Sequence, residues 1–289
     1  MKEFDPLLMA SRDVSSILLA GIAPRPIALV STIDKEGNPN LSPFSFYNAF
    51  GVNPTTLIFS PSRRGRDNTV KHTYENIKEV PEVVIHAVTY DMVQQTSLSS
   101  TEYEKGVNEF NKSGFTAIPS VAVKPFRVKE SPLHFECKVR DVIETGKQGG
   151  SANLVICEIL KIHINEKFLD GNNKLQTEKL DLVGRMGEDV YVRASGDALF
   201  HVPKPLLTHG IGVDALPDTV RLSKVLSGND LGILGNIEKI PDFDRIRLLK
   251  NNKELEIKYA DRFVVHQKAK ELISIGHIEE ALELLFAFG

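Results

Sequence analysis

The chain has little of several residue types. Among its 289 residues it has no tryptophan and only two cysteines, Cys137 and Cys157, both in apolar runs. We interpret the cysteines as buried small hydrophobic residues of a reducing compartment. No uninterrupted apolar stretch is long enough to span a bilayer, and the N-terminus lacks the apolar core and basic flank of a secretory signal. We therefore expect a cytoplasmic protein with no membrane partner.

No charge of one sign dominates. The 35 basic and 38 acidic residues give a formal net charge of −3, whereas a basic footprint is typical of nucleic-acid binding. We expect no nucleic-acid partner, although the balance allows a local basic pocket. The chain also lacks a GxGxxG motif after a strand and any recurrent βαβ alternation, which disfavours a Rossmann domain.

The first two-thirds of the chain contains short runs of β-branched and aromatic residues. Ile27–Thr32 and Leu41–Ala49 flank a polar Gly/Asn/Pro turn suited to a hairpin, and the Val/Ile-rich run Leu154–Ile164 predicts a central strand. A helix is predicted over Asp67–Val80. Many strands interrupted by a few helices predict a mainly β protein built on an antiparallel barrel.

The composition changes after about Ser195, which predicts two parts, residues 1–197 and 198–289. Arg262–Ile275 and His277–Phe286 are predicted to form a helical hairpin broken at Gly276. The second part is therefore expected to be a partly helical C-terminal extension, to which the sequence assigns no chemistry.

Two segments indicate a ligand. Pro24–Thr32 is a β-type run that ends on two hydroxyls, and Asn40–Asn48 alternates small hydroxyls with aromatic rings. Hydroxyls and free backbone amides suit a phosphate or a polar ring edge, while aromatic and aliphatic neighbours suit a flat ring face. This combination favours a nucleotide-like cofactor.

A third segment, Ser60–Thr69, carries three arginines and a glycine between a strand and the predicted helix. Helix N-termini and guanidinium groups both attract phosphate. A solvated basic loop with Asp67 as the helix cap explains the same residues, so this loop alone leaves both interpretations open.

The order and spacing of the motifs are more specific than any one of them. PRPIALVST, NLSPFSFYN and SRRGRDNT are followed by Glu130-Ser131-Pro132, Gly149-Gly150 and Gly184-Arg185-Met186-Gly187 with Tyr191. Over roughly residues 10 to 195 this order resembles the flavin reductase-like FMN-binding split-barrel family, which includes flavoredoxins. The resemblance implies a Greek-key split barrel that holds FMN and forms a homodimer.

The resemblance also implies roles for individual residues. The strand-end hydroxyl and the segment after the hairpin would line the flavin: Thr32, Ser42, Phe44, Ser45 and Asn48. The basic loop would hold the ribityl phosphate through Ser60, Ser62, Arg63, Arg64 and Thr69. The Gly-Arg-x-Gly segment adds Arg185 and Tyr191, whereas Asp67 is expected to cap a helix and is left out of the site.

The electron donor is less defined. Many dedicated reductases of the family have a histidine after the glycines that precede the long strand, where this chain has Gly149-Gly150-Ser151-Ala152-Asn153. Asn153 could instead hydrogen-bond a nicotinamide carboxamide, which makes it the candidate substrate-binding residue. Hydride transfer to a flavin strictly requires no acid–base side chain, so no catalytic residue is assigned.

The sequence therefore predicts an FMN-binding oxidoreductase that reduces flavin or passes electrons to a protein partner, using NAD(P)H or another donor. The alternative is a non-catalytic flavin-binding or scaffold protein. His134 and Glu136 share a strand face but have no Cys or Asp at ligand spacing, so no metal site is expected. His86, inside an apolar strand, is expected to be a core histidine.

Overall fold

The computed structural model describes residues 1–289 and separates them into two units, Met1–Phe200 and His201–Gly289. Strands occur in the first unit, and the second contains helices and loops. None of the helices combines the length and apolar character that a bilayer-spanning segment needs.

The first unit contains twelve strands, most of them in the runs that the residue pattern indicates. Their bounds are β1 Arg25–Pro26, β2 Ala28–Ile33, β3 Pro39–Phe44, β4 Tyr47–Val52, β5 Thr55–Phe59, β6 Glu82–Ala87, β7 Ala117–Ile118, β8 Arg127–Val128, β9 Leu133–Glu144, β10 Asn153–Ile164, β11 Leu182–Arg185 and β12 Tyr191–Ala194.

Seven of these strands form one antiparallel sheet in the order β3-β2-β6-β9-β10-β5-β4. Phe44, in the first strand of this order, packs on Phe59 in the sixth, with ring centroids 5.5 Å apart. The sheet must therefore curl around a shared core, although β3 and β4 are not hydrogen-bonded to each other. The predicted antiparallel barrel is confirmed, with one open seam.

The barrel interior is apolar, and helices and a small sheet pack against the barrel. Ala28, Val30, Val83 and Val155 belong to the interior cluster, and Ile77 of a helix packs into the same cluster. A second cluster on the outside of β2 joins Leu29 and Leu41 to short helices and to a three-stranded sheet of order β1-β11-β12.

Five helices belong to the first unit: α1 Ser11–Gly21, α2 His72–Glu79, α3 Val93–Leu98, α4 Glu109–Ser113 and α5 Thr177–Leu180. The predicted helix over Asp67–Val80 begins too early. The backbone of Asn68 is left-handed, with φ of 59°, so the helix starts only after Lys71. The predicted strand Leu41–Ala49 is likewise divided, because the chain turns between Phe44 and Tyr47.

The second unit is built from six helices: α6 Asp218–Arg221, α7 Gly228–Gly235, α8 Phe243–Lys250, α9 Lys253–Lys258, α10 Arg262–Ser274 and α11 Ile278–Phe288. The predicted hairpin of α10 and α11 is present, and Gly276 between them has φ of +83°. Leu282 and Leu285 of α11 pack against Val265 and Ala269 of α10 in one core. The helical content of this part exceeds the prediction.

His86 is a core histidine whose two ring nitrogens both have backbone hydrogen-bond partners. Its Nδ1 lies 2.7 Å from the Leu29 carbonyl oxygen, and its Nε2 accepts the Val128 N–H at 2.9 Å. Nδ1 therefore carries the proton of a neutral ring. Burial, followed by the nearby His134, lowers the pKa of His86 from 6.5 to about 3.

This lowered pKa predicts acid sensitivity of the first unit. Below pH 6.5 the unfolded chain binds a proton at His86 that the folded chain excludes until the pH approaches 3. Stability should fall over that window by up to about 1.4 kcal/mol per pH unit. In an NMR titration the His86 ring should remain neutral at pH 5; a midpoint near 6.5 would contradict the buried neutral state.

Candidate functional site

The arginine-containing loop, residues 60–71, is anchored to a second loop by its backbone. Arg63 N–H donates to the Ser151 carbonyl at 2.9 Å, and Gly150 N–H donates to the Arg63 carbonyl at 3.0 Å. A Cβ at Gly149 would lie 3.0 Å from the Arg64 carbonyl oxygen. The close approach of the two loops therefore explains Gly149, and a φ of +88° explains Gly150.

Arg63 shapes the loop internally. Its Nε donates to the Asn68 side-chain oxygen at 2.7 Å, and its terminal nitrogen donates to the Asn68 carbonyl at 2.6 Å. These contacts hold the left-handed residue in place, so the Arg63 guanidinium already has partners within the loop.

Asp67 does not cap the helix, contrary to the prediction. Its carboxylate accepts hydrogen bonds from the Thr69 backbone at 3.0 Å and the Thr69 hydroxyl at 2.7 Å. These bonds lower the pKa of Asp67 to about 2. Lys71 stands at the N-cap of α2 with no side-chain cap.

Three cationic side chains converge on one carboxylate beside this loop. Glu102 accepts from Arg64 Nε at 2.8 Å and from Lys71 Nζ at 3.3 Å through one oxygen, and its other oxygen contacts Arg66. The hydrogen bonds from Arg64 and Lys71 lower the pKa of Glu102. Arg64 also contacts the Val70 carbonyl and donates to the Thr69 hydroxyl at 3.0 Å. This group of Arg64, Arg66 and Lys71 is called the cation cluster below.

A polar cleft adjoins the cation cluster. It is lined by residues of β3, the start of α2, the loop after α3 and the start of α4: Asn40, Ser42, Arg64, Lys71, His72, Thr73, Ser99, Ser100, Thr101, Glu102, Tyr103 and Glu109. Burial lowers the pKa of His72 and raises the pKa of Glu109. Cations and hydroxyls thus line the cleft together with Glu102 and Glu109. The cations and hydroxyls are the groups in this lining that can donate to an anion.

Two of the predicted flavin-lining side chains are buried. The Thr32 hydroxyl accepts from Asn76 at 3.1 Å and Asn40 at 3.4 Å, in a network beneath α2. Phe44 belongs to the barrel core. Thr32, in β2, therefore faces α2, whereas Phe44, at the end of β3, faces the barrel core. Neither side chain is available to a ligand in this arrangement.

Ser45 lies in the turn between β3 and β4, and Asn48 lies near the start of β4. The Ser45 hydroxyl is 3.4 Å from Arg25 Nε. Arg25 is buried and also donates to the Ile22 carbonyl at 2.9 Å and the Met186 carbonyl at 2.8 Å. Asn48 is exposed, and its side-chain oxygen accepts from Ala49.

Arg185 and Tyr191 pair on the neighbouring sheet. Arg185 donates to the Tyr191 hydroxyl at 2.8 Å, and its guanidinium lies 4.7 Å from the Tyr191 ring centroid. Neither residue lines the polar cleft. Ser60 is buried with its hydroxyl 3.2 Å from that of the half-buried Ser62. Of the predicted residues, the structure therefore brings Ser42 and Arg64 into the cleft.

Comparison with known proteins assigns the first unit to a protein family. The chain matches the family described as Flavin reductase like domain over residues 20–178. It is 35% identical over 186 residues to an uncharacterized protein of Aquifex aeolicus (strain VF5), covering 64% of this chain and 92% of that protein. The chain belongs to the flavin reductase-like family.

Solved structures agree on the fold. Nitrilotriacetate monooxygenase component B from Bacillus cereus has a TM-score of 0.65 at 24% identity, covering 70% of this chain and 98% of that one. The flavoredoxin of Desulfovibrio vulgaris (Miyazaki F) has a TM-score of 0.55 at 21% identity, covering 72% and 98%. The predicted split barrel is confirmed.

Sequence reasoning missed part of the candidate site. Arg66 and Lys71 flank residues that were chosen, and the local basic character could have identified them. Glu102 lies 38 positions from Arg64, and no local pattern connects the two. Glu136, which shares a strand face with His134, accepts from His163 at 2.7 Å and from the Val121 backbone at 2.9 Å.

Asn153 supports the arginine loop. It is 1% exposed, and its amide donates to the Pro61 carbonyl at 3.0 Å. A side chain buried in this way has no surface for a nicotinamide, so the structure does not support the predicted substrate contact. Its role is to position the loop from below.

Replacing Asn153 should therefore reduce stability. Asn153→Leu keeps the branching and the number of side-chain heavy atoms but leaves the buried Pro61 carbonyl without its donor, at a cost of about 1–3 kcal/mol. The melting temperature of the first unit should fall by about 2–4 °C per kcal/mol. The exposed substitution Asn172→Leu is the control, and equal melting of both variants would exclude a supporting role.

Proposed function

We propose that this protein binds FMN and acts as an oxidoreductase, reducing flavin or passing electrons to a protein partner with NAD(P)H or another donor. Membership of the flavin reductase-like family supports flavin-related redox chemistry. The observation that carries FMN in particular is the cation cluster beside the hydroxyl-lined cleft.

The donor set fits the phosphate end of FMN. A phosphate carries about −1.5 to −2 charges at neutral pH and three strong acceptor oxygens. Arg64, Arg66 and Lys71 supply cationic N–H donors, and Ser42 adds a hydroxyl from β3. Riboflavin, which lacks the phosphate, cannot make these contacts.

The same barrel end offers groups for the ring. Phe46 is 48% exposed at the turn after β3, and its carbonyl accepts from Ser60 N–H at 2.9 Å. This bond joins the turn to the arginine loop, so the proposed ring and phosphate subsites are fixed to each other. Ser45 and Asn48 provide polar groups beside Phe46.

When bound, FMN supplies the hydride-accepting ring, while the protein binds it, orients it and adjusts its electronics. The chain's part is then to hold the phosphate at the cation cluster and the ring near Phe46. Asn153 is buried, so the proposal names no residue for the donor. The alternative, a flavin-binding protein without turnover, keeps the same site.

Anaerobic reduction separates these functions. The purified protein, reconstituted with FMN, should be yellow and should bleach when NADH or NADPH is added. Bleaching with dithionite alone would favour an electron carrier that accepts from another donor. Failure to take up FMN at all would contradict both the oxidoreductase and the flavin-binding alternative.

Truncating the phosphate contacts should weaken FMN binding. Arg64→Ala combined with Thr69→Ala removes a cation and the hydroxyl that orients it, and loss of one charge-assisted contact corresponds to about a tenfold higher Kd. Fluorescence titration measures the change. Arg140→Ala, an exposed strand arginine paired with Glu158, is the control. Unchanged affinity in the double variant would place the phosphate elsewhere.

We also propose a homodimer, which the exposed sheet edge supports. β4 is the last strand of the seven-stranded sheet, and its residues from Asn48 to Val52 are exposed. Phe50 is 64% exposed and Val52 92% exposed. An unpaired apolar edge invites pairing with another chain.

The two cysteines are free and buried, which accords with the proposed cytoplasmic location.

Light scattering tests the dimer. The wild-type protein should have twice the 32.1 kDa chain mass, and Phe50→Lys with Val52→Lys should shift it to the monomer because charge on the edge opposes pairing. A wild-type protein that is monomeric at micromolar concentration would rule the dimer out.

A further inference from the structure

The cation cluster is already filled by a side chain of the same protein. Glu102 places one carboxylate oxygen 2.8 Å from Arg64 Nε and 3.3 Å from Lys71 Nζ, and the other against Arg66. A carboxylate among three cations occupies the position that an anionic ligand would take. No second anion can approach the same donors without like-charge repulsion.

The residues that carry Glu102 are weakly attached. Residues 99–108 connect α3 to α4 without a regular element. Their backbone hydrogen bonds are local, such as Tyr103 N–H to Thr101 and Val107 N–H to Glu104. The ends of the segment are fixed, because Ser99 is buried and hydrogen-bonded to Thr96 and Asn108 caps α4. Between them, beyond the Glu102 contacts, the segment is held by the ion pair of Lys105 with Glu75 at 3.1 Å and by Lys112, which lies over the Tyr103 ring. Exposed ion pairs of this kind contribute little stability.

The charge balance favours exchange of the Glu102 carboxylate for a phosphate group. The three cations are paired with two carboxylates, Glu102 and the Asp67 partner of Arg66, which leaves one positive charge uncompensated at the cluster. A phosphate of about −1.5 to −2 charges, with three acceptor oxygens, compensates the cluster more fully than a single carboxylate does. The ligand therefore gains contacts by displacing Glu102.

We propose that Glu102 is an internal competitor for the phosphate group, so that its carboxylate leaves the cation cluster when FMN binds. This inference rests on the proposed function and adds a regulatory residue to the same site. Glu102 lowers the affinity for FMN and keeps the cations paired when no cofactor is bound. The exposed middle of the segment, residues 100–106, then moves with the carboxylate.

The test compares the full-length apoprotein with two variants. Glu102→Gln removes the charge but keeps the shape. Glu104→Gln removes a charge from the same segment at a side chain that contacts none of the three cations. Fluorescence titration should give an FMN Kd about tenfold lower for Glu102→Gln than for the wild type. Riboflavin, which lacks the phosphate, should show no difference between the proteins, and Glu104→Gln should match the wild type.

The outcomes separate the two proposals. If the wild type binds FMN and Glu102→Gln binds it equally or more weakly, Glu102 supports the cations and the competitor role is wrong. If none of the proteins binds FMN, the proposed function is wrong. Inorganic phosphate, followed by ³¹P NMR line broadening, then decides the competitor role: tighter binding by Glu102→Gln supports it, and equal or weaker binding overturns it.

Discussion

Burial of Phe44 against Phe59 is the contact on which the site depends. It brings the first and sixth strands of the sheet order together, so the end of β3 and the loop after β5 meet. Ser42 and Arg64 consequently line one cleft although 22 residues separate them in the chain. The apolar core thus fixes the spacing of the polar groups.

Electrostatics then determines what the cleft can bind. The chain as a whole carries a net charge of −3, yet Arg64, Arg66 and Lys71 concentrate positive charge in one place. Local structure produces this concentration: Arg63 fixes the left-handed Asn68, the Gly149 region holds the loop backbone, and Asn153 supports it from below. The cluster is therefore preorganised, which favours an anionic ligand over a neutral one.

The sequence predicts the barrel well because alternation and β-branched runs identify strands, as in Leu154–Ile164. It predicts side-chain exposure less well. Thr32 and Phe44 lie on definite strand faces, but whether a face meets a ligand or a packed helix depends on α2, whose position is a tertiary property. The start of α2 was misplaced because Asn68 adopts a left-handed backbone within a helix-like run.

Contacts between residues that are distant in the chain set the remaining limit on predicting the site. No local motif indicates Glu102, yet it is the common partner of three cations from another loop. Asn153 looked like a ligand contact because of its position after two glycines, whereas its partner is the Pro61 carbonyl 92 residues earlier. Residue type and spacing indicated the cofactor class, and tertiary contacts decide which side chains are free to bind it.

The most direct measurement compares the affinities of FMN and riboflavin for the apoprotein at low and high salt. A phosphate held by the cation cluster predicts at least about tenfold tighter binding of FMN, with a preference that declines as salt screens the charges. Equal affinities for the two flavins, independent of salt, would contradict a phosphate site at Arg64, Arg66 and Lys71.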